Sequence, residues 1–566
     1  MNGPHAFSAS PIAAGLAFAL ALGLVGGASA AGSAIDTATL AAPVRFLASD
    51  ALEGRAPGSR GDQLARLYLA TGLEALGLLP GVPAGGVGGV GAAGEGASWQ
   101  QPFPMIGIAS QAPPEWTFSG PGGELSLARW DEFVAVSGVQ ATAATIEDAE
   151  VVFVGYGIQA PEYGWDDFKG VDLKGKVLLM LNNDPDWDEA HFAGERRLYY
   201  GRWTYKYESA ARQGAAGAIL IHTTPSAGYP FQVVQSSWTG EQFELPAGDE
   251  PRLQVSGWTT EGAAERLVAL GGRNLAKLVE SARSKSFRPV PLGVRTSLAL
   301  ANKTREVETA NVAGLLPGSD PVLKNEVVVY TAHHDHLGVA TADKEGDAIH
   351  NGAVDNATGC AQLLALARAF AALPEPPRRS ILFLFVAAEE QGLLGSKYYA
   401  AHPTFAPGRI AANINLDSAN IYGRTRDVTY IGFGKSSLDA VAIAAAAAQG
   451  RVVKGDQAPS KGSFYRSDQF NFARIGVPAI YLDPGTEFVG EGAAAAKARQ
   501  AAYDSTCYHQ PCDELAADWV WDGMIEDTEL ALTVGLAIAN ADAMPTWNPG
   551  DEFEAARGKA LAQAAP

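Results

Sequence analysis

The sequence predicts an α/β fold: a mostly parallel, mixed sheet with helices on both faces, interrupted by a β-rich inserted domain. Three observations carry this reading. Beyond about residue 295, strand-like runs near 326–332, 381–388, 410–416, 427–433 and 478–482 alternate with helix-like runs near 356–371, 392–401, 436–449 and 522–541, and such alternation implies a parallel sheet. Strands such as I-L-F-L-F-V-A-A are continuously apolar, as strands covered on both faces must be. Between about 148 and 289 the texture changes to short strands and glycine turns, which reads as a separate β-rich unit.

Taken in order, residues 12–25 form an apolar run of signal-peptide length, and Ala28-Ser29-Ala30 supplies a small-x-small cleavage pattern. This makes 1–30 a signal peptide and the mature chain periplasmic or secreted. No cysteine follows the cleavage site to accept a lipid. From 37 to 80 the pattern is helical, and 81–96 is a glycine-rich loop; both belong to an N-terminal part of the main domain spanning 31–147. Within the insertion, V-V-F-V-G-Y-G-I (151–158), G-K-V-L-L-M-L (175–181) and 214–222 are strands, with a helix at 205–213. Residues 290–545 hold the main domain and 546–566 a C-terminal tail.

The 42 basic residues against 62 acidic ones leave a net charge of −20, which argues against nucleic acid or anionic membrane as partner. After leader cleavage no apolar run is long enough to span a bilayer. Cys507 and Cys512, with four residues between them, are spaced to pair in an oxidising compartment, while Cys360 lies on the apolar side of a helix.

The chemistry sits where the strands end, which is where open α/β sheets collect ligands. T-A-H-H-D-H-L-G (331–338) carries His333 and Asp335, N-G-A-V-D-N-A-T-G (351–359) carries Asp355, and A-A-E-E-Q-G-L-L-G-S (387–396) carries Glu389 and Glu390. N-L-D-S (415–418) and Y-H-Q-P-C-D (508–513) add Asp417 and His509. Two imidazoles and three carboxylates can hold a pair of divalent cations. Side chains two apart on a strand share a face, so His333 and Asp335 are expected to point together, with His334 and His336 turned away. Asp335 is then placed to hold the second nitrogen of a ligating His333. Asp355 could cap the following helix or bridge two cations. Adjacent acids at the end of an apolar strand are costly unless paired, which suits a metal ligand beside a group facing water. Asp513 could support His509 or cap a helix.

These motifs, over about 295–545, resemble the co-catalytic dizinc exopeptidase family that includes bacterial leucyl aminopeptidases, glutamate carboxypeptidases and the non-catalytic transferrin receptor. F-L-A-S-D-A-L-E-G-R-A-P-G-S-R-G (46–61) resembles the family's N-terminal segment, and 148–289 a protease-associated domain. The resemblance implies two Zn2+ per subunit, one on His333, Asp355 and Asp417 and one on Asp355, Glu390 and His509. It implies Glu389 as general base, Asp335 as the group orienting His333, and a peptide as substrate. Tyr508 is either an oxyanion-stabilising residue, as in some members, or a packing tyrosine; His334 stands where many relatives have Tyr.

An exported aminopeptidase is the expected function. A carboxypeptidase or dipeptidase is the enzymatic alternative, with Arg466 as a candidate for a substrate carboxylate unless it pairs with Asp468. A non-catalytic receptor would have lost ligands, and all five positions are intact. Side-chain preference, oligomeric state and the cellular metal are not encoded legibly.

Overall fold

The computed structural model describes residues 35–85, 96–187, 192–340, 342–344 and 346–564. The leader-like run at 12–25 and most of the glycine-rich stretch fall outside them.

At the centre of the main domain, strand Val327–His333 pairs in parallel with both Ser380–Val386 and Ile410–Asn415. Ile410–Asn415 continues in parallel to Ala479–Asp483. Antiparallel partners then flank this core: Val290–Leu316 beside Ser380–Val386, and Asp427–Ile431 beside Ala479–Asp483. The sheet is mixed with a parallel centre, as the alternation predicts.

Strand alternation divides the core. Val328, Tyr330, Phe383 and Phe385 join the helices Gly359–Ala371 and Asp522–Asn540 on one face. Val327, Val329, Leu382 and Leu384 join Tyr399 and Phe472, from Leu394–Ala401 and Gln469–Arg474, on the other. Both faces being covered explains why these strands contain almost no polar residues. Helix Asp522–Asn540 comes close enough that the Tyr330 hydroxyl donates to the Ala531 carbonyl (2.8 Å), and a Cβ on Gly535 would lie 1.7 Å from that oxygen.

A second core gathers Trp116, Phe118 and Phe133 with Val151, Leu179, Ile219, Val255 and Leu298. The packed unit thus reaches beyond 148–289 at both ends, because the strands Glu115–Gly120, Gly123–Ala128 and Phe133–Ser137 bury their aromatic faces there. Its parallel ladder runs Ala143–Phe153, Val177–Leu181, Gly217–His222, Val255–Thr260. The 27-residue strand Val290–Leu316 belongs to both units: it pairs with Ala143–Phe153 early, with Gln100–Gln111 midway and with Ser380–Val386 at its end. The 546–566 segment is more than a tail. Trp547 is buried, and helix Glu554–Ala564 is docked by Arg557, which donates to the Ile410 carbonyl (2.9 Å).

Candidate metal centre

All five predicted ligands meet at the carboxyl end of the parallel strands. His333, the last residue of its strand, places Nε2 3.1 Å from Asp355 Oδ1 and 3.3 Å from Asp417 Oδ1. His509 Nε2 lies 3.0 Å from Asp355 Oδ2 and 3.2 Å from Glu390 Oε2. Asp355 therefore presents one oxygen to each imidazole. Imidazole nitrogens and carboxylate oxygens converging in this way are the donor types that would hold a zinc-like cation.

Asp355 is not a helix cap. It lies in the irregular turn Ala353–Thr358 with non-helical backbone angles, before helix Gly359–Ala371 begins. That turn is held by Asp513, whose two carboxylate oxygens accept the backbone N–H groups of Val354 (2.8 Å) and Asp355 (3.1 Å). Asp513 thus supports the bridging residue rather than His509. His509 sits in a left-handed backbone conformation (φ 59°) between Cys507 and Cys512, which form a disulfide. Cys360 is free and buried.

Asp335 is fully buried, but its carboxylate lies 3.8 Å from His333 Nδ1; the nearer acceptor is its own backbone carbonyl, at 3.3 Å. The carboxylate instead accepts the N–H of Glu389 (3.1 Å) and approaches that of Glu390 (3.4 Å). Its side chain therefore fixes the turn that carries both glutamates. Asp417 is held by the Ser467 hydroxyl (2.5 Å) and, at its carbonyl, by the Tyr481 hydroxyl (2.7 Å). Tyr508 stacks on His509 with ring centroids 3.9 Å apart and is 42% exposed, so it is not a packing tyrosine.

Alternation correctly separates His334 from His333 but fails beyond the strand end. His334 Nε2 meets Asp62 Oδ1 at 3.1 Å, behind the site. His336 turns inward instead of away, and its Nδ1 lies 2.8 Å from Glu390 Oε1. Arg55 was also missed: it is buried, and it donates to the carbonyls of His334 (2.9 Å), Asn351 (2.6 Å) and Gly352 (2.9 Å), tying together two ligand loops. Its only sequence signal is its place in the 46–61 segment.

The two adjacent glutamates are driven apart electrostatically. Burial raises the Glu389 carboxyl well above its ordinary range; His333 opposes this, and Glu390 and Asp417 add to it. Burial also penalises Glu390, but His509 and His336 overcome it and hold Glu390 below its ordinary value. Asp355 follows the same logic: burial opposes ionisation, and hydrogen bonds from His333 and His509 bring it well below the usual range.

Residues 311–533 match peptidase family M28. The matched segment contains all five predicted ligands. A probable zinc metalloprotease of Pyrenophora tritici-repentis (strain Pt-1C-BFP) is 40% identical over 109 residues, 19% of this chain and 24% of that protein. Leupeptin-inactivating enzyme 1 of Streptomyces exfoliatus is 28% identical over 245 residues, 42% of this chain and 50% of that protein. The chain thus spans about a quarter to a half of the length of the curated relatives it matches. Among solved structures, the aminopeptidase from Aneurinibacillus sp. strain AM-1 superposes with a TM-score of 0.50 at 18% identity, covering 90% of this chain and 95% of that one. That likeness is one of fold, and it extends through the M28 domain and the insertion.

Proposed function

We propose that the protein is an exported, zinc-dependent exopeptidase, an aminopeptidase that removes N-terminal residues from peptides. The observation that carries this is the pair of imidazole–carboxylate groups sharing Asp355. The donors fit zinc: imidazole nitrogen and carboxylate oxygen, with His333, Asp355 and Asp417 on one side and Asp355, Glu390 and His509 on the other; His336 also converges on Asp355 and Glu390. Zinc held there would supply Lewis acidity and make water easier to deprotonate near neutral pH.

The chain's own groups handle the proton. Glu389, pushed up by its surroundings, takes the proton of the attacking water and delivers it to the departing amine; its neighbour Glu390, kept ionised, serves as ligand. Paired acids with divergent pKa values commonly divide roles in this way. Asp335 holds the glutamate turn through two backbone N–H groups, and the Tyr508 hydroxyl stabilises the developing oxyanion. The disulfide beside His509 supports an oxidising compartment. The insertion, which resembles a protease-associated domain, shapes access: its Tyr199 packs on Phe470 with centroids 4.8 Å apart.

A carboxypeptidase or dipeptidase is the second reading, favoured by Arg466. It is exposed and forms no ion pair with Asp468, which is buried. N-acetylated and free-amine versions of one peptide separate the two readings, since an aminopeptidase rejects the blocked form. For the common mechanism, Glu389→Gln is expected to retain two equivalents of zinc while losing about 10²–10⁴-fold in kcat. Full turnover in that variant, or wild-type turnover after exhaustive chelation, defeats the proposal.

A further inference from the structure

His336, an imidazole outside the proposed ligand set, converges with Asp355 and Glu390. His336 is completely buried, and its Nδ1 is 2.8 Å from Glu390 Oε1. Glu390 Oε2 is the oxygen 3.2 Å from His509 Nε2. The carboxylate is therefore held between two imidazoles, one on each oxygen. Their rings approach edge to face with centroids 5.7 Å apart.

His336 has little freedom to do anything else. It lies just past the strand end, and Gly352 backs its ring: a Cβ at Gly352 would fall 2.5 Å from His336 Cγ. Gly352 is itself in the left-handed region (φ 56°), and its carbonyl accepts from Arg55. The ring is thus wedged against the loop that leads to Asp355.

We propose that His336 is a positioning residue of the second cation site. Its Nδ1, in contact with Glu390 Oε1 at 2.8 Å, would hold that oxygen and leave Oε2, the one beside His509, for a cation. A ligating carboxylate left free to rotate loses alignment, and the partners that hold such ligands are worth about 10–100-fold in metal affinity. This inference rests on the two-cation reading above, and it predicts that the two equivalents respond differently. The position held by His333, Asp355 and Asp417 does not involve Glu390 and is indifferent to His336.

The test compares His336→Asn with His336→Leu by zinc titration against a competing chelator. Asn keeps an N–H donor at the place of Nδ1; Leu keeps bulk without a donor. Leu is expected to weaken one equivalent by about 10–100-fold and leave the other unchanged. Asn is expected to restore most of that loss, and the cobalt-substituted Asn variant should keep the wild-type visible spectrum because no ligand has changed. If Leu does not fold, His336→Ala takes its place in the same comparison. Wild-type affinities in the donor-free variant overturn the proposal. So does an Asn variant as impaired as Leu or with an altered cobalt spectrum, which would make the ring a direct ligand. Fewer than two equivalents in the wild-type protein would instead remove the two-cation reading itself.

Discussion

Asp513→Asn separates the support of the bridging carboxylate from the carboxylate itself. Asp513 is 1% exposed, accepts two backbone N–H groups from the Asp355 turn, and also receives the Tyr503 hydroxyl (3.1 Å). Burial raises its carboxyl from 3.8 to about 6. At ~1.4 kcal/mol per pH unit, keeping it ionised at pH 7.5 costs the fold about 3 kcal/mol. Asn removes that cost but replaces one acceptor oxygen with a donor, forfeiting a charge-assisted hydrogen bond worth about 1.5–3 kcal/mol. These terms nearly cancel, so urea denaturation of the metal-free variant should show a stability change within ~2 kcal/mol of wild type. Zinc affinity should nevertheless fall about 10–100-fold, because the Asp355 N–H loses its anchor and the shared carboxylate is no longer held. Both equivalents should weaken, in contrast to the His336 variants. A variant several kcal/mol less stable with unchanged zinc affinity would refute this account and make Asp513 an ordinary core residue.

Two further expectations concern pH and packing. Burial pushes His509 down, yet Glu390 and Asp355 outweigh it and raise it from 6.5 to about 9. Protonated imidazole cannot ligate, so zinc affinity should climb with pH towards about 9 and binding should release a proton, measurable by calorimetry in buffers of different ionisation enthalpy. In the metal-free protein the same interaction stabilises the fold fully below about pH 6.5, and this stabilisation is lost as pH rises through about 9. Gly535→Ala should lower stability by about 1–3 kcal/mol through overpacking against Tyr330. Combining it with Tyr330→Phe, which removes the crowded oxygen, should recover part of the loss in thermal unfolding.

The parallel sheet was legible because burial on both faces leaves a plain signature: largely apolar runs at Val327–His333, Ser380–Val386 and Ile410–Asn415 that no surface strand would carry. His333, Glu390 and Asp417 were legible because each ends or closely follows such a run, whereas Asp355 and His509 lie in loops and were read from their motifs. What escaped depends on groups remote in sequence. Arg55 meets His334 across 279 positions, and nothing local to either announces the contact. His336 was misread because period-two alternation holds only while the strand lasts, and the strand stops at His333. Asp335 was assigned to an imidazole where the structure gives its carboxylate two backbone amides, a partnership set by turn geometry rather than residue type. The long strand Val290–Leu316 was hidden for a similar reason: its two halves serve different cores, so no single period runs along it.

That strand also limits how the insertion can move. A unit attached by flexible linkers can swing, but this one is continuous, through ladder hydrogen bonds, with the sheet that carries the candidate ligands. Rotating it as a rigid lid would shear those bonds, whereas the strand can twist gradually along its length. The two units also touch where the Arg197 N–H donates to the Pro459 carbonyl at 3.2 Å. The insertion is thus a wall built into the sheet rather than a hinged lid.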